Sequence, residues 1–338
     1  MIRQLIRLTI AVLFAVPTFA QEPASAEHLR KDFLTWKFGM FIHFNMATYH
    51  NCEWALGYED PATFKPEKLD CNQWAEAAAS AGMKYAVLTV KHTGGWCLWD
   101  SKQTKTHAMS AFPHYKNGKG DIVREFVKAC RKHNLKVGLY YCFPSNFGVP
   151  KNKRPLNGLP PEAEGDPISF IKKQLTELFT DYGQIDLLWC DQYQFNIREH
   201  WQEIVKHVKA LQPNCIVIAN NSLDLKETDI YSYEYPWLKT KRRRALPPED
   251  NETPSEVCDK MGPAWFWKAR ENASNIKSAE QVVKMARLCN SRKANYLLNV
   301  APDKSGLIPV YSLERLKEIG SLLNIKEPQR SGPQTDDK

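Results

Sequence analysis

The sequence predicts an α/β fold, a (β/α)8-like TIM barrel that allows irregular connections. Short runs rich in Val, Ile and Leu alternate along the chain with amphipathic segments of helical period. Such alternation is typical of a parallel sheet covered by helices. About eight strands spread over roughly 290 residues favour a closed barrel over an open, doubly wound sheet.

The elements are predicted in barrel order. Strands are assigned to short apolar runs, and helices to segments whose apolar residues recur every three or four positions. The predicted strands are residues 37–45, 84–91, 135–142, 185–191, 215–220, 230–234, 256–258 and 295–300. The predicted helices are residues 26–36, 70–80, 121–133, 168–182, 197–211, 278–290 and 311–323. No G-x-G-x-x-G or G-x-x-x-x-G-K-[ST] motif follows a strand, which excludes the usual nucleotide-binding folds.

The two ends of the chain are predicted to lie outside the barrel, which takes residues 27–325. Arg3 and Arg7 precede an apolar run, residues 8–16, and Thr18-Phe19-Ala20 places small residues where a signal peptidase cleaves. We therefore expect residues 1–20 to be a signal peptide and the protein to be exported, either periplasmic or secreted. Residues 326–338 form a polar C-terminal tail.

The composition excludes several classes of protein. Hydrophobic residues make up 43% and charged residues 25% of the chain, as in ordinary globular domains without membrane insertion. The formal net charge is +8, and the basic run 241–244 lies beside Pro and acidic residues, so we expect a solvated loop and no nucleic-acid partner. Nine cysteines with irregular spacing and no C-x-x-C pair indicate no metal site and one or two disulfides at most.

The predicted strand 185–191 ends in a carboxylate, Asp191. A charge at the end of a buried strand must be desolvated unless a partner pairs with it. The carboxyl ends of barrel strands are also where catalytic groups lie. We therefore predict that Asp191 is catalytic, the alternative being that it caps the helix that begins near Asn196.

Further polar side chains are predicted on the same face of the barrel. They lie at or near the ends of strands: His43, His92, Tyr141, Glu234 and Glu256. A single strand His is more often a core residue, but a ring of such residues indicates an active site. Glu53-Trp54, in the long loop after the first strand, is either an acid and an indole that hold a sugar or a surface Glu beside a packing Trp. Two carboxylates among aromatic side chains suggest glycoside hydrolysis.

Several motifs follow one another along almost the whole chain. They are Lys37-Phe-Gly-Met-Phe-Ile-His43, Glu53-Trp54, Lys84-Tyr-Ala-Val-Leu-Thr-Val-Lys-His92, Cys97-Leu-Trp-Asp-Ser101, Val137-Gly-Leu-Tyr-Tyr141, residues 185–191, residues 295–302 and residues 306–309. In this order they resemble the landmarks of the α-L-fucosidases of glycoside hydrolase family 29. The resemblance covers the catalytic barrel only, and we expect no C-terminal β-sandwich, a domain that many members carry.

The resemblance implies a retaining exo-hydrolase that acts on an oligosaccharide or glycoconjugate without a cofactor. Asp191 would be the nucleophile. The residues that would line the subsite for the terminal sugar are His43, Glu53, Trp54, His92, Tyr141 and Trp267. Glu256 is the expected acid/base, because it lies where many members have Trp-Glu, and Glu234 and Glu252 are the alternatives.

The chain departs from the family pattern at three places. The usual His-His-Asp-Gly is His92-Thr93-Gly94-Gly95, the usual His-Trp-Gly is His43-Phe44-Asn45, and the usual Trp-Gly-Tyr is Trp265-Phe266-Trp267. Loss of a group that hydrogen-bonds a sugar hydroxyl can change the preferred sugar. Two alternatives therefore accompany the α-L-fucosidase hypothesis: a related exo-glycosidase with altered specificity, and an inactive barrel that only binds carbohydrate.

Overall fold

The computed structural model describes residues 23–143, 161–163, 165–194, 197–235 and 246–324. The predicted signal peptide and the predicted polar tail lie outside these residues. Among the described residues, no helix has the length and apolar character needed to cross a membrane. All nine cysteines are described, and none of them forms a disulfide.

Eight parallel strands form one sheet, which confirms the predicted barrel. The strands are β1 (Phe38–Ile42), β2 (Tyr85–Lys91), β3 (Lys136–Cys142), β4 (Leu187–Asp191), β5 (Ile216–Ala219), β6 (Tyr231–Glu234), β7 (Ser255–Lys260) and β8 (Ala294–Asn299). Their order in the sheet is β5-β4-β3-β2-β1-β8-β7-β6. The carboxyl ends of all eight strands therefore lie on one face of the barrel.

The helices are α1 (Ala26–Trp36), α2 (Met46–Tyr49), α3 (Cys71–Ser80), α4 (Ile122–Lys132), α5 (Pro167–Thr180), α6 (Trp201–Leu211), α7 (Ala279–Ser291) and α8 (Val310–Asn324). Side-chain caps define where several of them begin. Asp166 accepts a hydrogen bond from Ser169 at the start of α5, and Pro167 occupies the first helical position, where its missing N–H costs nothing. Ser278 and Gln281 form a capping box at the start of α7.

The barrel is irregular between β5 and β6, which are the two ends of the strand order. No helix connects them, and within the described ranges no strand ladder pairs them. Among the described residues, isolated backbone bonds cross near this opening, from the Ser232 amide to the Ser222 carbonyl at 3.2 Å and from the Asp229 amide to the Val217 carbonyl at 2.9 Å. We call this opening the β5–β6 seam. It lies beside the ends of the strands that carry Asp191 and Glu234.

The interior of the barrel is filled mainly by aromatic side chains. Phe41, Tyr85, Tyr140 and Trp189 belong to one buried cluster with aliphatic residues of β2, β4, β5 and β8. Burial of such a ring contributes about 1.5–3 kcal/mol to stability. A second cluster lies between the sheet and the helices, whose apolar faces cover the barrel. The upper rings of the interior cluster form the floor of a cavity at the carboxyl ends of the strands.

Candidate active site

The cavity has a volume of about 210 Å³ and opens at the carboxyl ends of the strands. Its lining combines aromatic rings with amides, imidazoles and two carboxylates. The lining residues are Phe41, His43, Trp54, His92, Tyr140, Trp189, Asp191, Gln192, Gln194, Asn220, Asn221, Glu234, Cys258 and Trp265. A small cavity in which aromatic walls surround convergent polar groups is typical of a site for one small ligand.

Asp191 is the last residue of β4 and lines the cavity. Its Oδ2 accepts a hydrogen bond from the Tyr140 hydroxyl at 2.8 Å. Its Oδ1 accepts bonds from Asn220 Nδ2 at 3.0 Å and from the backbone N–H of Gln192 at 2.9 Å. All three contacts are donors, so both carboxylate oxygens of Asp191 are held by hydrogen bonds.

Glu234 is the last residue of β6 and provides the second carboxylate of the cavity. Its Oε2 accepts hydrogen bonds from Asn220 Nδ2 at 3.2 Å and from Asn221 Nδ2 at 3.1 Å. Because one amide nitrogen contacts both acids, Asp191 Oδ1 and Glu234 Oε2 lie at most about 6 Å apart, the sum of 3.0 Å and 3.2 Å. Retaining glycosidases place their two carboxyl groups about 5–5.5 Å apart.

His43 and His92 follow β1 and β2 directly, and their rings lie 5.8 Å apart. His43 Nδ1 is 2.7 Å from Asn299 Oδ1, and His92 Nδ1 is 3.2 Å from Thr93 Oγ1. Burial lowers the pKa of His92 to about 4. Burial, with a smaller contribution from His92, lowers the pKa of His43 well below its usual value. Both imidazoles are therefore neutral at pH 7 and can donate or accept hydrogen bonds to an uncharged ligand.

Trp265 and Trp54 give the cavity aromatic walls. The backbone of Trp265 is held from two sides: Glu53 Oε2 accepts from its N–H at 3.1 Å, and Asn299 Nδ2 donates to its carbonyl at 2.7 Å. Glu53 itself is not among the lining residues. Of the predicted pair, Trp54 therefore lies at the cavity, whereas Glu53 contacts the cavity wall from behind.

Two residues predicted for the sugar subsite lie elsewhere. Successive strand residues face opposite sides of a sheet, and on β3 it is Tyr140 that faces the cavity. The Tyr141 hydroxyl instead accepts from Lys91 Nζ at 2.8 Å and donates to Gln174 of α5 at 2.7 Å. Trp267 donates its indole N–H to Tyr311 at 3.1 Å, away from the lining residues.

The structure also contradicts the expected placement of Glu256. It is the second residue of β7, two positions deeper than the lining residue Cys258, or about 7 Å below it. Its side chain has no exposed surface. Oε2 accepts from the Tyr85 hydroxyl at 2.7 Å and Oε1 from the Trp189 indole at 2.8 Å, and burial raises the pKa of the carboxyl to about 7. Glu256 therefore has no direct access to a leaving group.

The other alternative for the acid/base, Glu252, is excluded by its position. Its carboxylate is exposed and forms an ion pair with Lys293. Glu234 is thus the one candidate of the three that the structure brings to Asp191. Asn220, Asn221 and Gln192 were not predicted from the sequence, although Asn220 and Asn221 directly follow β5 and could have been found as strand-end residues.

Two bridged carboxylates, neutral imidazoles and aromatic walls at the carboxyl ends of a parallel barrel define a site of the glycoside hydrolase class. The comparisons with known proteins agree. A sequence model described as Alpha-L-fucosidase matches residues 48–327. The chain therefore belongs to the α-L-fucosidase family, glycoside hydrolase family 29.

Individual relatives are similar over the barrel. Alpha-L-fucosidase 1 of Arabidopsis thaliana is 27% identical over 86% of this chain and 59% of its own length. Plasma alpha-L-fucosidase of Homo sapiens is 26% identical over 90% of this chain and 69% of its own. The solved structure of alpha-L-fucosidase isoenzyme 1 from Paenibacillus thiaminolyticus has a TM-score of 0.71 and 28% identity, covering 88% of this chain and 76% of that one. The chain spans about three fifths of the length of its plant relatives, 59% and 58%.

Proposed function

We propose that the protein is a retaining exo-α-L-fucosidase that releases terminal L-fucose from glycans by double displacement. The observation that carries the proposal is the Asn220 amide, which contacts Asp191 and Glu234 at 3.0 Å and 3.2 Å. This bridge keeps two oxygens of the acids within about 6 Å of each other, which supports a retaining rather than an inverting arrangement. Family membership supports the choice of sugar.

In this mechanism Asp191 attacks the anomeric carbon while Glu234 gives a proton to the glycosidic oxygen. The bond between the anomeric carbon and that oxygen breaks, and a glycosyl ester forms on Asp191. Glu234, now ionised, takes a proton from a water molecule that attacks the same carbon and releases Asp191. The hydrogen bonds from Tyr140, Asn220 and Gln192 stabilise the departing carboxylate of Asp191.

The assignment of Glu234 replaces the prediction of Glu256 and rests on access to the cavity. Glu234 lines the cavity, whereas Glu256 is fully buried beneath its floor. General acid catalysis contributes about 10²- to 10⁴-fold and matters most when the leaving group is poor. The two glutamates can therefore be distinguished by their dependence on the leaving group.

The test measures kcat/KM for aryl α-L-fucosides with activated and poor leaving groups. We expect Asp191→Ala to lose nearly all turnover on both substrates, because no nucleophile remains. Added azide should not restore formation of a product with the natural anomeric configuration. Glu234→Ala should lose at least about 100-fold on the poor leaving group and much less on the activated one. Equal losses on both substrates for Glu234→Ala would show that it is not the acid.

The choice of sugar is tested on a panel of aryl α-L-fucosides, galactosides and glucosides. The chain has His92-Thr93-Gly94-Gly95 where the family pattern has His-His-Asp-Gly, so the preferred sugar needs a test of its own. Turnover of another glycoside in preference to the fucoside would establish altered specificity. Binding of sugars without turnover of any glycoside would establish an inactive binding barrel.

We also propose that the protein is exported, on the basis of the basic and apolar residues near its N-terminus. The expected mature protein begins after Ala20. N-terminal sequencing of protein recovered from the periplasm or culture medium tests this. An uncleaved N-terminus on protein confined to the cytoplasm would refute it.

A further inference from the structure

Glu256 is an acid that the proposed mechanism does not use, yet it is fully buried in the barrel interior. Burial of a carboxyl group is costly unless hydrogen bonds compensate it. Two bonds do so here, from Tyr85 on β2 at 2.7 Å and from Trp189 on β4 at 2.8 Å. Glu256, on β7, thus connects three strands across the inside of the barrel.

One of these bonds leads to the cavity. The Trp189 indole lines the cavity floor and donates its only N–H to Glu256 Oε1. On its other side it stacks on the Tyr140 ring, with centroids 5.4 Å apart and planes inclined by 20°. The Tyr140 hydroxyl donates to Asp191 Oδ2 at 2.8 Å. A continuous set of contacts therefore runs from Glu256 to the proposed nucleophile.

The other bond does not lead to the cavity. Tyr85 is fully buried, lies at the first position of β2 and packs against Phe33 and Trp36 of α1. It is not among the cavity-lining residues. Removal of either bond leaves Glu256 with one donor, but only removal of the Trp189 bond frees a ring of the cavity floor. The bonds of Glu256 to Trp189 and to Tyr85 therefore form a matched pair, and removing each in turn distinguishes a positioning role of Glu256 from a purely stabilising one.

We propose that Glu256 is a positioning residue for the nucleophile. Its bond to the indole of Trp189 fixes the orientation of that ring, the ring fixes Tyr140 by stacking, and Tyr140 holds Asp191. Glu256 does not touch the substrate. This inference rests on the proposed role of Asp191, but its structural part is independent of the identity of the sugar.

The kinetic test uses Glu256→Leu, Glu256→Gln, Trp189→Phe and the control Tyr85→Phe. A reacting group that is misplaced by up to 1 Å can lower the reaction rate by about 100-fold. Glu256→Leu and Trp189→Phe should therefore lower kcat/KM by roughly 10- to 100-fold. The loss should be equal for activated and poor leaving groups. Glu256→Gln keeps an acceptor oxygen and should recover most of the activity, and Tyr85→Phe should stay within about threefold of the wild type.

A double-mutant cycle tests the route through the indole. In the Trp189→Phe background, Glu256→Leu should cause no further loss in kcat/KM, because the bond that it removes is already absent. Additive losses would overturn the proposal. So would a loss in Glu256→Gln that appears only with poor leaving groups, since that pattern belongs to a proton donor. Equal losses for Tyr85→Phe and Glu256→Leu would show that Glu256 is merely structural.

A structural measurement keeps the inference testable apart from fucoside turnover. Crystal structures of Glu256→Leu and Tyr85→Phe report the contact between Tyr140 and Asp191 directly. We expect the 2.8 Å bond to be lost in the former and kept in the latter. An unchanged bond in Glu256→Leu overturns the proposal. If Glu256→Leu does not fold, Trp189→Phe takes its place, with the same expected outcome. Inactivity of the wild-type protein on fucosides would refute the proposed function alone.

Discussion

Replacement of Asn220 with Asp inserts a third carboxylate between Asp191 and Glu234 without changing the size of the side chain. In the wild type the Asn220 amide donates to both acids, at 3.0 Å and 3.2 Å, and the side chain is only 4% exposed. In the variant an oxygen replaces this donor. Each attractive contact becomes a repulsion between like charges about 4 Å apart, worth about 4 kcal/mol at an effective dielectric constant near 20.

Such a repulsion keeps a proton on the three-acid cluster at higher pH. A free energy of about 1.4 kcal/mol corresponds to one pH unit, so we expect the acidic limb of kcat/KM to move up by about 2 units after allowance for solvent screening. The folded variant then binds more protons than the unfolded chain as pH rises from acid to neutral. Its free energy of unfolding must therefore fall with rising pH in that window, relative to the wild type.

The assay is kcat/KM for an aryl α-L-fucoside across roughly pH 4 to 9, with denaturant unfolding at the same pH values. Asn221→Asp is a matched control, because the Asn221 amide contacts Glu234 alone, at 3.1 Å, and should give a smaller shift. Asn220→Ala removes the bridge without adding charge, so it should lower activity and move the limb by less than Asn220→Asp does. An unmoved limb in Asn220→Asp would refute the bridged arrangement of the two acids.

Three further predictions concern the imidazoles and the cavity walls. Because burial lowers the pKa of His92 from 6.5 to about 4, its contribution to stability is complete above pH 6.5 and is lost as the pH falls towards 4. This loss is worth about 3 kcal/mol, and His92→Asn should flatten the fall of unfolding free energy in acid. Gly94 has φ +87°, and an added Cβ would lie 2.9 Å from the backbone nitrogen of Gly57 in the facing loop. Gly94→Ala should therefore lower the free energy of unfolding by about 1–3 kcal/mol and weaken sugar binding. Gly82→Ala, at φ +77° with open space around it, should lower the midpoint of thermal unfolding only slightly and leave binding unchanged. Glu53→Ala should raise KM about fivefold, because the backbone of Trp265 loses the oxygen that accepts from its N–H. Glu53→Gln keeps an acceptor oxygen and should leave KM unchanged.

The sequence was sufficient to predict the barrel and the position of Asp191. An apolar run that ends in a carboxylate is an unusual combination, and β4 places Asp191 at its last position. The strand ends also predicted the neighbouring imidazoles, and the family resemblance added their expected place in the sugar subsite. His43 and His92 line the cavity because each follows directly on a strand whose end is visible in the apolar pattern.

The choice between adjacent tyrosines could not be made from the sequence. A shift of one residue moves a strand side chain to the opposite face of the sheet. The pairing of β2 with β3 contains an irregularity between Thr89 and Lys91, just before the cavity. The register that brings Tyr140 rather than Tyr141 to Asp191 is therefore a property of the assembled sheet.

The depth of Glu256 depended on a strand boundary. The sequence predicts a strand from residue 256 and gives no measure of the distance from Glu256 to the cavity, whereas β7 runs from Ser255 to Lys260. Pairing with β6 places Glu256 opposite Ser232 and Cys258 opposite Glu234. Glu234 is thus at the level of the cavity, and Glu256 is one inward-facing position below it.

The β5–β6 seam has a consequence for stereochemistry. Asn220 is anchored to β4 by its backbone bond to Cys190 at 2.8 Å, whereas Glu234 lies across the opening on β6. Within the described chain, a side-chain amide rather than a backbone ladder spans the gap between the acids. In inverting enzymes the two carboxyl groups lie only a few ångströms further apart, which leaves room for a water molecule. Because the separation of the two acids decides between retention and inversion, the proposed anomeric outcome depends on this opening as well as on the acids themselves.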